Sequence, residues 1–256
     1  MGVVNITPDS FSDGGRFLDA RSALAHARRL AEEGADLIDI GGESTRPGAA
    51  PVPEEEELNR VLPVLRGLND LGKPVSVDTR RPAVMKAAAQ AGASMINDVE
   101  ALGAPGAIEA AAASGCAVCL MHKKGDPATM QQDPHYDDVV GEVRDFLEQR
   151  VAACQAAGIA RDRIVVDPGF GFGKTAAHNL ELLRRLHELS SLEIPVLAGL
   201  SRKSTLGKLT GRPVEERLAA SLAAALLALQ GGATILRVHD VKETRDVIAV
   251  WQAFRE

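Results

Sequence analysis

Short apolar runs alternate with amphipathic helical stretches along the 256 residues, and the pair repeats eight times. Runs of β-branched residues predict buried strands, and apolar residues spaced three and four apart predict helices that cover them. The predicted strands span 2–5, 37–40, 75–78, 95–97, 117–121, 164–167, 196–200 and 235–238. The predicted helices span 20–33, 54–70, 82–91, 104–114, 138–157, 177–189, 214–230 and 241–254.

Eight consecutive β-α units suit right-handed connections and predict an α/β fold, a (β/α)8 TIM barrel, as a single domain over residues 1–256. A doubly wound open sheet shares the alternation. That fold normally has a Gly-rich phosphate turn after its first strand, whereas Asn5-Ile6-Thr7-Pro8-Asp9-Ser10 follows here. The number of repeats favours the barrel.

Composition limits the partners. The net charge of −6 provides no global positive field for nucleic acid, so a small-molecule ligand is expected. Three cysteines form no disulfide framework and predict a reducing, cytoplasmic location. The most apolar stretch, 218–229, is too short to span a membrane, and no signal peptide or lipid anchor is expected.

Polar residues close most of the apolar runs. In a barrel the carboxyl ends of the strands form the active-site face, so these residues are candidates for chemistry. Singly, each also suits a helix cap. The strand-closing residues are Asn5, Gly41-Gly42-Glu43, Asp78, Asn97, His122, Asp167 and the pair Arg237 and His239, with Ser201-Arg202-Lys203-Ser204 after the seventh strand.

These polar groups are of two kinds. Asp78, Asn97 and Asp167 supply acceptors and an amide, which suit a flat heterocycle with N–H donors. Lys203 and Arg237, with His239 and Asn5 nearby, lie where barrels commonly hold phosphate. One ligand with a polar ring and a phosphate would span both groups; a solvated surface pair is the alternative for the two cations.

Two loops on the predicted catalytic face, 8–15 and 43–51, are rich in Gly, Pro and Ser, as mobile lids often are. Arg46 would bring a charge over the site or remain an exposed loop arginine. The loop Asp167-Pro168-Gly169-Phe170-Gly171-Phe172-Gly173-Lys174 carries two aromatics, which would pack on a planar substrate or cover the barrel mouth.

Two other motifs resemble known binding sites but lack features that those sites require. Gly173-Lys174-Thr175 resembles the end of a P-loop, but Pro168 stands where that motif needs Gly. Cys116, Cys119 and His122 have zinc-like spacing, yet residues three apart on a strand point to opposite faces, so core cysteines are favoured.

The helix predicted from Val214 to Gln230 has almost no polar face, although the outer helix of a barrel should expose one to water. It predicts a homodimer interface, with a terminal helix of the same chain as the alternative cover.

Seven motifs in chain order together resemble the dihydropteroate synthase family of bacterial folate biosynthesis. They are Asn5-Ile6-Thr7-Pro8-Asp9-Ser10-Phe11-Ser12-Asp13-Gly14-Gly15, Gly42-Glu43-Ser44-Thr45-Arg46-Pro47-Gly48, Ser76-Val77-Asp78-Thr79, Ile96-Asn97-Asp98-Val99, the loop from Asp167 to Lys174, Ser201-Arg202-Lys203-Ser204 and Arg237-Val238-His239-Asp240.

The resemblance implies a barrel homodimer that joins 6-hydroxymethyl-7,8-dihydropterin diphosphate to 4-aminobenzoate with Mg²⁺, giving 7,8-dihydropteroate and pyrophosphate, and that is inhibited by sulfonamides. By motif match, it assigns the pterin ring to Asp78, Asn97, Asp167, Lys203 and Met121. It assigns the diphosphate to Asn5 (through Mg²⁺), Thr45, Arg237 and His239, and the aminobenzoate to Thr45, Pro47, Phe172, Lys203 and Ser204, with Arg46 nearby.

The expected mechanism is dissociative: the pterin ring delocalises the charge left on its methylene as pyrophosphate departs, with Asp78, Asp167, Lys203 and Arg237 as catalytic residues. Two departures from the family are visible. Met1 precedes Asn5 by only four positions, and Lys123-Lys124 replaces the usual Met-Gln, adding positive charge beside the site.

Three other functions stay open. A pterin-dependent methyltransferase domain would share the barrel and its carboxylates. A Schiff-base aldolase would use Lys203 as its nucleophile, and a non-catalytic pterin-binding relative would bind without turnover.

Overall fold

The computed structural model describes residues 1–6, 16–43, 51–125 and 129–255, with the backbone alone for 16–19. Within these residues eight strands and nine α-helices alternate. The strands are β1 Gly2–Asn5, β2 Ile38–Gly41, β3 Val75–Asp78, β4 Met95–Asp98, β5 Ala117–Met121, β6 Ile164–Asp167, β7 Leu197–Ala198 and β8 Ile235–Leu236. The helices are α1 Arg16–Glu32, α2 Glu54–Gly67, α3 Pro82–Gln90, α4 Ala107–Ser114, α5 Val139–Ala156, α6 Ala176–Arg184, α7 Ser204–Thr210, α8 Leu218–Gln230 and α9 Val241–Arg255.

The strands close into a barrel. β1 to β6 pair in parallel in chain order, as do β7 and β8. Two bridges join these groups: Val166 N donates to the Pro195 carbonyl at 3.0 Å, and Val3 N donates to the Val238 carbonyl at 3.1 Å. Because the last strand meets the first, an open doubly wound sheet is excluded and the predicted (β/α)8 barrel is confirmed.

Two apolar layers follow from the alternation of side chains along the strands. Val77, Ile96 and Leu120 face outward and pack with the helices in the large core. Cys119 and Val165 face inward, with Met95 and Leu197, and fill the barrel's interior. These apolar side chains fill much of the interior below the carboxyl ends of the strands, where Asp39 and Ser76 are also buried in register with Met95.

The helices after β6 and β7 differ from the prediction. The helix predicted over 177–189 ends at Arg184, and a 3-10 helix, Leu186–Leu192, follows. Leu186, Leu189 and Leu192 are buried at a spacing of three, which matches the three residues per turn of a 3-10 helix. The short helix α7 was not predicted from the sequence. It ends at Thr210, and the residue that follows, Gly211, has a φ of +70°.

The helix predicted from Val214 to Gln230 is a 3-10 turn, Val214–Glu216, followed by α8. Ala224, Ala225 and Ala228 are buried against the barrel. Ala219, Ala223 and Leu227 are exposed at a spacing of four, so α8 presents one apolar face outward.

The three cysteines, Cys116, Cys119 and Cys154, are buried and free, in agreement with their interpretation as core residues. None of the helices in the described part of the chain combines the length and apolar content that a membrane crossing requires.

Candidate active site

The carboxyl ends of β1 to β4 bring polar side chains to one level of the barrel. Asn5 is in register with Gly41, Gly41 with Asp78, and Asp78 with Asn97. Residues in register on parallel strands point to the same side of a sheet, so Asn5, Asp78 and Asn97 share the interior side. Asn97 is buried, and Asn5 and Asp78 are partly buried.

Arg237 lies between two carboxylates at this level. Its Nε donates to Oδ2 of Asp39 at 2.7 Å, and its Nη2 lies 2.6 Å from the same oxygen and 3.1 Å from Oδ2 of Asp78. Asp39 is fully buried on β2 and also accepts a bond from Nδ2 of Asn97 at 3.3 Å. Three strands and the β8 end are thus linked by one charged network.

Burial raises the pKa of Asp78 to about 8. The Arg237 guanidinium opposes this rise, whereas the negative charges of Asp39, Asp98 and Glu57 add to it. Asp78 is therefore a carboxyl group that holds a proton near neutral pH, a property typical of functional sites.

Lys203 approaches from the other side of the mouth, at the start of α7. Its ammonium group donates to the Phe170 carbonyl and lies 4.6 Å from the centroid of the Phe172 ring. Burial lowers the pKa of Lys203 to about 8, against the opposing charge of Asp167. Burial raises the pKa of Asp167, and Lys203 opposes that rise. Met121, in register with Asp167, provides an apolar wall.

A buried lysine fastens the loop that follows β6. Lys174 is 2% exposed, and its Nζ donates to the carbonyls of Gly169 at 3.0 Å and Phe172 at 3.2 Å. It also lies 2.9 Å from Nδ1 of His122. Burial, followed by the charge of Lys174, lowers the pKa of His122 to about 3, so this imidazole is neutral and accepts the bond.

Gly169 allows the same loop to approach β5. Its φ is +68°, and a Cβ at this position would overlap the carbonyl oxygen of His122. Its backbone N–H donates to Oδ1 of Asp167 at 2.7 Å. The loop therefore fixes the Asp167 carboxylate and carries Phe172 to the mouth.

A turn after β7 holds Lys203 and His239. Ser201 Oγ lies 3.0 Å from Nδ1 of His239 and accepts the His239 backbone N–H at 3.2 Å. Arg202 has a φ of +58°, and the Asp240 carboxylate binds its guanidinium, with Nε at 3.0 Å. These contacts join the β7 and β8 ends, so that Lys203 and His239 border the same opening.

The comparisons with known proteins agree with this geometry. Residues 1–239 match the family described as pterin binding enzyme. The dihydropteroate synthase of Escherichia coli K12 is 50% identical over 254 residues, which cover 99% of this chain and 90% of that protein. The chain belongs to the dihydropteroate synthase family.

Solved structures of the family give the same result. A Yersinia pestis dihydropteroate synthase in a sulfonamide drug complex has a TM-score of 0.95 and 50% identity, and covers 99% of this chain and 93% of that one. A Xanthomonas albilineans dihydropteroate synthase with 4-aminobenzoic acid has a TM-score of 0.94 and 57% identity, with coverage of 99% and 92%. The family, the fold class and the kind of enzyme expected from the sequence are thereby confirmed.

Most site residues expected from the family pattern meet at the barrel mouth. Asp78 and Asn97 contact the Arg237 network, and Lys203 contacts the loop that carries Phe172. Ser204 is exposed at the first position of α7. Thr45, Arg46 and Pro47 lie outside the described residues, as do residues 8–15 and 44–50 of the two expected lids.

Two charged residues have roles that sequence reasoning missed. Asp39 was missed because it lies inside the apolar run Leu37-Ile38-Asp39-Ile40 and not at its end. It is two residues before Gly41, so the alternation of a strand places both on the same side of the sheet, and this spacing could have identified it. Lys174 closed one of the family motifs and a failed P-loop, but the sequence assigned it no role of its own. Likewise His122, a strand-end candidate, contacts Lys174 rather than the Arg237 network.

Lys123 and Lys124 do not leave free positive charge beside the site. Lys123 Nζ lies 3.0 Å from Oε1 of Glu100, and Lys124 Nζ lies 3.1 Å from Oε2 of Glu142. Lys124 also lies 4.2 Å from the centroid of the Tyr136 ring. Each lysine is paired with an acid, so their departure from the family pattern is structurally compensated.

Proposed function

We propose that this chain joins 6-hydroxymethyl-7,8-dihydropterin diphosphate to 4-aminobenzoate, releasing pyrophosphate and 7,8-dihydropteroate. The observation that carries the proposal is the set of polar side chains that meet at the mouth. Partly buried Asp78 and buried Asn97 and Asp167 provide acceptors and an amide for a flat ring. Arg237, which is paired with Asp78, and His239 provide donors for an anion.

The pterin ring is held by Asp78, Asn97, Asp167 and Lys203, with Met121 against one face. The carboxylates accept the ring's N–H groups, and the Lys203 ammonium donates to its acceptors. Burial raises the pKa of Asp78 and of Asp167 because it removes solvent from their charged forms. N–H donors of a bound ligand would replace that solvent and stabilise the two ionised carboxylates.

The diphosphate is held by Arg237, His239 and Thr45, with Asn5 acting through Mg²⁺. The described residues contain no group of three His, Cys, Asp or Glu side chains that would hold a metal ion. Asn5, half-buried at the end of β1, provides one amide oxygen. That oxygen would suit a magnesium ion, which prefers oxygen ligands, and the substrate's phosphates would provide others. When bound, the ion supplies positive charge against the departing pyrophosphate.

The aminobenzoate lies between Phe172, Lys203 and Ser204, and the motif match assigns Thr45, Arg46 and Pro47 to the same subsite. The Phe172 ring, already stacked against the Lys203 ammonium, packs on the planar aminobenzoate. Sulfonamides, which share its aromatic amine, compete for this position.

The transfer is dissociative. Arg237 and His239 stabilise the charge that develops on the leaving pyrophosphate, while Asp78 and Asp167 stabilise the cation left on the pterin methylene. Lys203 orients the ring, and the positioned amine then attacks without a strong base. The carbon–oxygen bond to the diphosphate breaks, a carbon–nitrogen bond forms, and the amine's proton leaves to solvent.

The deciding experiment is pyrophosphate release by the purified chain with the dihydropterin diphosphate and Mg²⁺, with and without 4-aminobenzoate, alongside chromatography of dihydropteroate. Product that requires both substrates supports the proposal. Pterin binding without product would instead support a non-catalytic relative, and no binding would contradict the pocket assignment.

We also propose a single-domain, cytoplasmic homodimer that binds neither nucleic acid nor membrane. Ala219, Ala223 and Leu227 form an exposed apolar face along α8, and such a face favours burial against a second copy. Three free cysteines suit a reducing compartment. Light scattering is expected to give a dimer mass, and Leu227→Lys to shift it toward the monomer; a monomeric parent chain would contradict the interface.

A further inference from the structure

Asp39 occupies an unusual position for a charged side chain. It is 0% exposed in the middle of β2, in register with Val3 on one side and Ser76 on the other. A carboxylate so placed has lost its hydration, and this cost is offset only by strong partners. Its partners therefore show why it is there.

Both main partners are site residues. Oδ2 of Asp39 receives Nε of Arg237 at 2.7 Å and Nδ2 of Asn97 at 3.3 Å. Arg237, 24% exposed, also reaches Asp78 through Nη2, so two carboxylates hold one edge of its guanidinium. Among the described residues none bonds to Nη1, which leaves that nitrogen's two N–H groups for a ligand.

Asp39 itself cannot meet a ligand at the mouth. Its side chain is covered completely, whereas Asp78 and Arg237 keep 10% and 24% of their side-chain surfaces. Any effect on substrate must therefore pass through neighbouring groups: Arg237 and Asn97, which bond to Asp39, and Asp78, whose pKa the charge of Asp39 helps to raise. A fixed guanidinium loses less freedom when it binds an anion, and two bonds at one edge fix its plane.

We propose that Asp39 is a positioning residue: it fixes the guanidinium of Arg237 and the amide of Asn97 in the orientation that meets the pterin diphosphate, and it does not touch substrate. This inference rests on the proposed function. It adds a residue to the charge-stabilising half of the reaction, one layer beneath the groups that contact the ligand.

The test is a double-mutant cycle. Asp39→Asn keeps the size of the side chain but removes its charge, and kcat is expected to fall about 100-fold with a smaller change in KM, as for a misplaced group. In the Arg237→Gln background, Asp39→Asn is expected to lower kcat less than 3-fold further, because Arg237 is already gone and only the longer bond to Asn97 is left to lose.

Misfolding is not expected to obscure the test. Asp39→Asn leaves Arg237 paired with Asp78, so this variant keeps no charge without a partner, and the urea midpoint of each variant is compared with that of the parent chain. Ser76→Ala is the matched control: Ser76 is fully buried beside Asp39, and its Oγ has no partner among the described residues. Its kcat is expected to stay within about 2-fold of the parent, as for a residue outside the network.

A second readout separates this inference from the proposed function. In ¹⁵N spectra the Arg237 Nε–H, assigned by its loss in Arg237→Gln, is expected to exchange slowly with solvent, and at least 10-fold faster in Asp39→Asn. Absence of dihydropteroate from the parent chain would overturn the function and leave this readout intact. Unchanged exchange, unchanged kcat in Asp39→Asn, or a further 10-fold loss in the double variant would overturn the role of Asp39.

Discussion

Proton release on pterin binding tests the electrostatics of the mouth. The pKa of Asp78 is raised to about 8 by burial, with Arg237 opposing and Asp39, Asp98 and Glu57 adding. At pH 7 such a group is about nine-tenths protonated, and at pH 9 about one-tenth. A bound dihydropterin presents N–H donors to Asp78, which favours the ionised carboxylate, so binding is expected to expel this proton.

Lys203 supplies the opposite contribution. Burial lowers its pKa to about 8, so at pH 7 it is already about nine-tenths charged and takes up only about 0.1 proton when the pterin's acceptors fix its charged form. These two groups together give a net release of protons at pH 7 and a net uptake at pH 9, with the sign changing near pH 8. Asp167, with its pKa also raised by burial, adds to the release at the lower pH.

Isothermal titration calorimetry measures this exchange. The ligand is 6-hydroxymethyl-7,8-dihydropterin without its diphosphate, so that phosphate groups do not titrate. The slope of the observed enthalpy against the buffer's ionisation enthalpy gives the number of protons. Asp78→Asn is expected to abolish most of the release at pH 7. A slope near zero for the parent at pH 7, or one that Asp78→Asn leaves unchanged, would refute the reasoning.

Three further predictions concern the loop after β6. Asp167→Asn keeps an oxygen for the Gly169 N–H but removes the charge, so turnover is expected to fall about 100-fold or more, with a small change in Tm; normal turnover would contradict its role. Gly169→Ala places a Cβ on the His122 carbonyl oxygen and is expected to lower the free energy of unfolding by about 4 kcal/mol or more. The control is Gly72→Ala, where the same φ of +68° occurs in open space and the expected loss is about 1 kcal/mol. Equal losses in chemical denaturation would contradict a steric role for Gly169. Lys174→Met leaves two buried carbonyls without their donor and is expected to cost about 2 to 4 kcal/mol in the same assay, whereas a cost no larger than that of exposed Lys124→Met would contradict the fastening role.

Local sequence determined the strands and the barrel. Each strand is a short buried run whose position depends on its own residues, and β1, β3, β5 and β6 lie where the pattern predicts them. The polar residue that closes a strand necessarily reaches the active-site face, so Asp78, Asn97 and Asp167 were found without a structure. The motifs also indicated the family, because they recur in order along the chain.

Tertiary packing decided what local pattern does not contain. α7 has only seven residues, too few for a helical period to be recognised. The 3-10 helix Leu186–Leu192 forms where three leucines spaced by three residues are buried in the core. Whether Lys123 carries free charge depends on Glu100, which is distant in sequence and adjacent only after folding.

Asp39 shows the same limit at the site itself. The sequence shows only a carboxylate in an apolar run, and burying an unpaired carboxylate would destabilise the fold. The closed barrel brings Arg237 from β8, 198 residues away, against it and makes the buried charge tolerable. The sequence by itself therefore determined which residues reach the mouth, since strand ends are local features. Only the tertiary structure decided which of them pair, and with what charge, since burial and ion pairing depend on contacts between strands far apart in the chain.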